Sequence, residues 1–249
     1  MLASHQQSGP TFGRKADSYD KHAHVQSDAA AWLTEWLPET SNMARCLEMG
    51  AGTGLLTQHL AGRFAHLESS DISSEMLEIC QQRVPGAICR IRDAWQAPTS
   101  RERWDVLASS SLLQWAPCPL SVMQQWAQLV RPNGRLILGF FAAPSLPEMM
   151  EVIEGDGPVA WRSPKQWQEV FRKAGYTQVR MEAESRSYSY PSALDFWKSL
   201  HGTGATVSRR IKPSAMLRFL RNYEASFKND AGVYATWTFC RVELLAPSD

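Results

Sequence analysis

The chain has 249 residues, 44% hydrophobic and 20% charged, which permits a sizeable core and argues against wholesale disorder. Its 26 basic and 25 acidic residues leave a formal net charge of +1, against a nucleic-acid binder that relies on global charge. Five scattered cysteines with no C-x-x-C pair, no run of membrane-span length and no apolar signal core within Met1 to Ser18 exclude a disulfide framework, a cysteine zinc site and a membrane anchor, so the expectation is a soluble cytoplasmic protein without a metal.

In chain order, Met1 to Pro10 reads as disordered, and Ser27 or Asp28 is placed to cap a helix through Ala29, Ala30, Trp32, Leu33 and Trp36 that stops at Pro38. Ala44 to Met49 is a short apolar run broken by Arg45, the pattern of a buried strand. Three alternate glycines follow, Gly50, Gly52 and Gly54, and then Leu55, Leu56 and Leu60 begin a helical pattern. Strand, glycine turn and helix start predict a ligand cradle, where bare main chain approaches a ligand and the helix adds free N–H groups. A dinucleotide fingerprint needs G-x-G-x-x-G, and Leu55 stands where its third glycine belongs.

Ala65 to Ser70 reads as a second strand that ends at Asp71, ahead of a helix from about Glu75 to Arg83. An acid at that strand end is placed to take ribose hydroxyls. The alternative is a helix cap. Ile72 and Met76 are placed to pack on a base. Pro85-Gly86 break the chain before a third strand, Ala87 to Ile91, which runs into Asp93, Ala94 and Trp95. The fourth strand and its exit loop span Trp104 to Trp115, with Asp105 as a structural residue at the start. The stretch Ser109 to Trp115 should line the cleft, and it contains no acid, histidine or lysine. A helix over Val122 to Val130, a turn at Arg131 to Gly134 and a fifth strand from Arg135 to Phe141 follow. Next come a helix from Ser163 or Pro164 to Ala174, a sixth strand from Tyr176 to Ser185 and a last strand from Val233 to Leu244. Two helices, Ser192 to Leu200 and Pro213 to Phe227, form an insertion between the last two strands. The ten tryptophans suggest apolar pocket walls, with large core residues as the alternative.

The pattern Glu48-x-Gly50-x-Gly52-x-Gly54, with Asp71 and Asp93 downstream and Leu129 to Gly134 before the fifth strand, resembles the class I S-adenosylmethionine methyltransferases. That resemblance implies a Rossmann-like α/β fold with a seven-stranded, mostly parallel sheet, an antiparallel last strand and a helical insertion before it. It implies one domain over residues 1–249, with 1–40 as a lid and 191–230 as a roof over the acceptor. S-Adenosylmethionine would be the cofactor. Glu48 would meet its amino group, the glycines its methionine and ribose, Asp71 the ribose, Asp93 and Ala94 the adenine, with Ser109 also in the binding set. The segment Phe12…Ala16…Tyr19-Asp20…Ala23…Gln26 resembles a lid, with Tyr19 as its catalytic candidate. An ordinary N-terminal helical hairpin is the alternative.

A narrower resemblance rests on the N-terminal Phe-x-x-x-Ala-x-x-Tyr-Asp, on Gln114-Trp115, on Ser145 to Glu148, on Leu200 to Thr206, and on Tyr223-x-x-x-Phe227 through Ala235 to Trp237. These are similar to the BioC family, the malonyl-acyl-carrier-protein O-methyltransferases of biotin synthesis. The resemblance implies methylation of the free carboxylate of a malonyl thioester on acyl carrier protein or coenzyme A; charge and hydropathy argue against nucleic-acid and membrane partners, and a monomer is expected. Gln114 and Trp115 would line the acceptor site, and Arg209 and Arg210 are candidates to hold the carboxylate or the carrier. The alternatives are another small-molecule acceptor and a cofactor-binding protein without turnover.

Overall fold

A computed structural model describes residues 16–37, 44–97, 102–153, 161–204 and 212–248. Phe12, Arg209 and Arg210 lie outside the described residues. The sheet is built from β1 (Arg45–Met49), β2 (His66–Asp71), β3 (Ile88–Ile91), β4 (Trp104–Ser110), β5 (Val130–Ala142), β6 (Thr177–Tyr190), β7 (Lys228–Asn229) and β8 (Gly232–Leu245). Its order is β3-β2-β1-β4-β5-β8-β6, with the two-residue β7 paired to β8. The first five strands run parallel, and β8 runs antiparallel to both β5 and β6. This is the Rossmann-like class I methyltransferase sheet expected from the sequence. Only the short hairpin strand β7, too brief to leave a periodicity, was not foreseen.

The period-two pleat assigns the two faces. Leu47, Met49, Leu107, Leu136 and Leu138 point to one side. They meet Trp126 of α5 (Pro119–Ala127) and Trp167 and Phe171 of α7 (Pro164–Lys173). Cys46, Val106, Ala108 and Ile137 point to the other side. They meet Leu33 of α2 (His24–Thr34), Leu56, and Leu60 of α3 (Thr57–Leu60). A third apolar cluster joins the far end of β8 to the insertion helices α8 (Ala193–Gly202) and α9 (Pro213–Ser226). Phe196, Phe219, Tyr223, Trp237 and Phe239 sit at its centre. Among the described residues no helix is long and apolar enough to cross a membrane.

Several boundaries differ from the sequence reading for local reasons. α2 begins at His24, before the cap positions Ser27 and Asp28, and Ala23 at its N-cap makes no side-chain bond. α5 starts at Pro119, whose fixed φ suits a first turn, and ends at Ala127. β5 absorbs the Arg131–Gly134 turn through a register shift against β4, with Asn133 at φ 58°. Asp105 is structural as expected, since it accepts from the Arg45 backbone N–H at 2.7 Å and pairs with Arg131. The tryptophans are mostly core or clamp residues. Trp32 and Trp36 flank the buried Arg241 guanidinium at 4.0 and 4.4 Å, and Arg241 also donates to the Trp32 carbonyl at 2.5 Å. That cation–π clamp fixes α2 to β8, and with it the segment that leads into the site.

Candidate active site

The site lies at the C-terminal edges of β1, β2, β3 and β4, where open α/β sheets hold ligands. A cavity of about 290 Å³ opens there. Its walls include Glu48, Gly50, Gly52, Asp71, Ile72, Met76, Asp93, Ala94 and Trp115 of the expected residues, together with Tyr19. Ser110, Ser111 and Leu112, from the stretch expected to line the cleft, and Gln26, from the expected lid segment, are also in the wall, together with Ala30, Thr53, Leu55, Arg92 and Trp95, which were not among the predicted site residues. Three expected residues fall outside it. Ser109 is buried, and its hydroxyl donates to the Met49 carbonyl at 2.8 Å, tying β4 to β1. Gln114 turns inward, with Nε2 donating to the Ser111 carbonyl at 2.8 Å and Oε1 accepting from the Phe141 N–H. Gly54 packs away from the cavity.

The three glycines separate by role. All have positive φ, at 72°, 53° and 89° for Gly50, Gly52 and Gly54. A Cβ on Gly50 would lie 2.7 Å from Leu112 Cδ2, and one on Gly54 would lie 3.1 Å from Cys80 Sγ. A Cβ on Gly52 would meet nothing within 4 Å. Gly50 and Gly54 therefore permit close packing, while Gly52 presents bare main chain to open space.

The amides of Gly50, Ala51, Gly52 and Gly54 are spent inside the protein. Gly50 and Ala51 donate to the Ser70 carbonyl at 2.8 and 2.9 Å, Gly54 donates to the Ala51 carbonyl, and Gly52 donates to Asp71 Oδ2 at 2.9 Å. Helix α3 is a single turn. A pyrophosphate needs such amides free. This loop instead offers carboxylates at Glu48 and Asp71, which suit a ligand bearing hydroxyls and positive charge.

Asp71 accepts from two backbone N–H groups, Gly52 on Oδ2 and Ser73 on Oδ1 at 3.0 Å. The helix cap of α4 (Ser74–Arg83) is Ser73, whose Oγ accepts from Met76 N, so Asp71 does not serve as the cap. Burial pushes the Asp71 carboxyl above its ordinary range, and the backbone bonds oppose that shift. Glu48 is fully buried and accepts on Oε2 from Thr57 at 2.6 Å and Ser69 at 2.7 Å. Burial raises it to about 7 against those two donors. Asp93 closes its turn by accepting from Trp95 N at 2.9 Å, and the Ala94 carbonyl is fixed by the Trp126 indole at 2.9 Å.

Tyr19, at the end of α1 (Ala16–Tyr19), reaches the cavity from the N-terminal segment. Burial, then the nearby Asp71 and Asp20, hold its hydroxyl well above the usual tyrosine range. It is therefore a neutral hydrogen-bond donor at neutral pH. Asp20 latches this segment down, accepting from Thr53 Oγ1 at 2.6 Å and pairing with Arg83. On the far side, Ser199 of α8 donates to the His22 carbonyl at 3.2 Å, so the insertion abuts the same segment. The latch joins residues 33 apart in sequence, and its only sequence signal is the acid that follows Tyr19.

The family description "Methyltransferase domain" fits residues 47–138. Malonyl-acyl-carrier-protein O-methyltransferase of Brevibacillus brevis is 27% identical over 91% of this chain and 91% of its own. The protein of the same name from Methylococcus capsulatus is 28% identical over 84% of this chain and 80% of its own. Among solved structures, YcgJ of Bacillus subtilis superposes with a TM-score of 0.66 at 13% identity, over 89% of this chain and 99% of its own. The cyclase SpnF superposes at 0.57 with 16% identity, over 90% of this chain and 81% of its own. The solved structures bear on fold alone. Sheet order and glycine turn give the chain the class I methyltransferase fold, and along most of its length it is similar to the malonyl-acyl-carrier-protein O-methyltransferases.

Proposed function

We propose that the chain transfers a methyl group from S-adenosylmethionine to the free carboxylate of a malonyl thioester carried on acyl carrier protein. The observation that carries the cofactor half is the glycine turn, with the amides of its three glycines bonded internally, its Gly52 face open and two acids beside it. These residues fit a sulfonium nucleoside better than a pyrophosphate. Asp71 has lone pairs left that would take ribose hydroxyls, Glu48 would meet the amino group, and Asp93, Ala94, Ile72 and Met76 would hold the base.

When bound, the cofactor supplies an electrophilic methyl on a sulfonium, and its passage to a carboxylate oxygen leaves a neutral thioether and a methyl ester. A carboxylate is ionised at neutral pH and needs no general base. The wall beside the donor end is Ser110, Ser111, Leu112, Trp115 and Pro117, none of which titrates near neutrality. Protonated Tyr19 donates without abstracting. The work left to the protein is alignment and exclusion of water, which can supply on the order of 7–11 kcal/mol. The Asp20 latch and the Tyr19 ring serve that exclusion. The acceptor half rests on the relatives' names and on this absence of a base. Mass spectrometry of malonyl-carrier protein after incubation with the enzyme and cofactor should show one added methyl. Addition to coenzyme A thioesters alone would move the acceptor handle, and addition to neither would overturn the acceptor.

Glu48 makes binding pH-dependent. Its pKa near 7 in the free protein means that a cationic ligand must bind the ionised form and so displace a proton. Affinity should fall as pH drops below about 7, by up to about tenfold per pH unit. Calorimetry in buffers of different ionisation enthalpy should detect proton release at neutral pH, and Glu48→Gln should abolish it. Proton release that persists in the glutamine variant would assign the titration elsewhere.

A further inference from the structure

Gln26 sits in the first turn of α2 and lines the cavity together with Ala30, four residues on along the same helix face. The helix beneath it is pinned by Val25, Ala29 and Leu33 in the core and by the Arg241 clamp at its C-terminal end. The Gln26 Oε1 is buried and has no hydrogen-bond partner among the described residues. Buried acceptors are almost always paired, so an orphan in the wall of a ligand cavity marks a place where the ligand supplies the complement. The acidic wall residues Glu48 and Asp71 are acceptors themselves, and the wall's Arg92 is paired with Glu68.

The reacting malonyl group cannot supply that complement, because a carboxylate and a thioester carbonyl both lack donors. On this reading only the cofactor brings positive charge into the cavity. Position narrows its part further. In the order β3-β2-β1-β4-β5, Asp71 and Asp93 follow β2 and β3, whereas α2 packs over β4 and β5. Gln26 thus stands across the sheet from the nucleoside acids, on the side of Ser110, Ser111 and Trp115.

We propose that the Gln26 amide oxygen serves the sulfonium end of the site and makes the protein prefer the charged cofactor over its neutral thioether product. A carbonyl dipole aimed at a cation, with weak C–H···O contacts from polarised methyl hydrogens, is favourable for the sulfonium and largely lost for the thioether. Gln26 is then a positioning residue that also favours product release.

This inference rests on the cavity being the S-adenosylmethionine site, and calorimetry separates the two. Wild-type protein is titrated with S-adenosylmethionine and with S-adenosylhomocysteine, and the titrations are repeated on Gln26→Leu and Gln26→Glu. The leucine variant should lose about tenfold in affinity for the sulfonium and less than about twofold for the thioether, a ratio change worth about 1.4 kcal/mol. The glutamate variant keeps an oxygen and should restore or exceed the wild-type preference. Equal losses for both ligands, or no loss for either, would overturn the role of Gln26 while leaving the cavity assignment intact. Wild-type protein that binds neither ligand would overturn both. Should the leucine variant fail to fold, Gln26→Met, which also removes the oxygen, takes its place: a loss selective for the sulfonium supports the role, and equal losses or none overturn it.

Discussion

Asp71→Asn is expected to weaken binding of both S-adenosylmethionine and S-adenosylhomocysteine by about a hundredfold or more, with the fold retained. The carboxylate accepts from Gly52 and Ser73 and keeps lone pairs for two ribose hydroxyls. A hydrogen bond to a charged acceptor contributes about 1.5–3 kcal/mol, so two together give roughly a hundredfold or more. An amide placed here would also turn an NH₂ toward one of the two backbone donors and loosen the glycine turn. Calorimetry gives the affinities and far-ultraviolet circular dichroism the fold. An affinity within about threefold of wild type, less than 1 kcal/mol, would remove Asp71 from the site.

Gly52→Val and Gly54→Val should fail in different ways. At Gly52 the backbone has φ 53° and the added side chain enters open cavity. The strain of about 1–2 kcal/mol for a left-handed residue is tolerable against a stability of about 5–15 kcal/mol. The protein should fold with a modest fall in Tm and bind no measurable cofactor. At Gly54 a Cβ would come within 3.3 Å of the Cys80 Cα, which is main chain of α4 and cannot swing aside. Strain and overpacking together, about 2–5 kcal/mol, should lower Tm by about 10 °C. Thermal melts paired with calorimetry would distinguish them. Equal melting temperatures with equal binding would show that the two glycines are interchangeable, contrary to their surroundings.

The sheet was largely legible in the sequence because each strand carries its own signal. Leu47 and Met49 against Cys46, or Leu136 and Leu138 against Ile137, alternate between two buried faces, and Gly, Pro and Asn mark the breaks. Asp71 and Asp93 were legible because a strand end fixes where its last side chain lies. The roles of the three glycines were not legible, because Leu112 and Cys80, which decide them, come from distant segments. Ser109 and Gln114 adjoin the cavity in sequence, yet their partners are Met49 and Phe141, and pairing with those turns them inward. Helix α6 (Pro147–Val152) was missed because it begins after Leu146 at φ 55°, with no capping side chain to announce it. The Asp20–Thr53 latch and the unpaired Gln26 oxygen arise only when the N-terminal segment folds across the glycine turn.

The cofactor site is defined by what lies between Gly52 and Asp71. A crystal structure of the protein grown with S-adenosylhomocysteine tests this most directly. The expected density has ribose hydroxyls on Asp71, the ligand backbone against the bare face of Gly52, and the amino group toward Glu48. An empty cavity at saturating ligand, or a dinucleotide carried through purification in its place, would contradict the account.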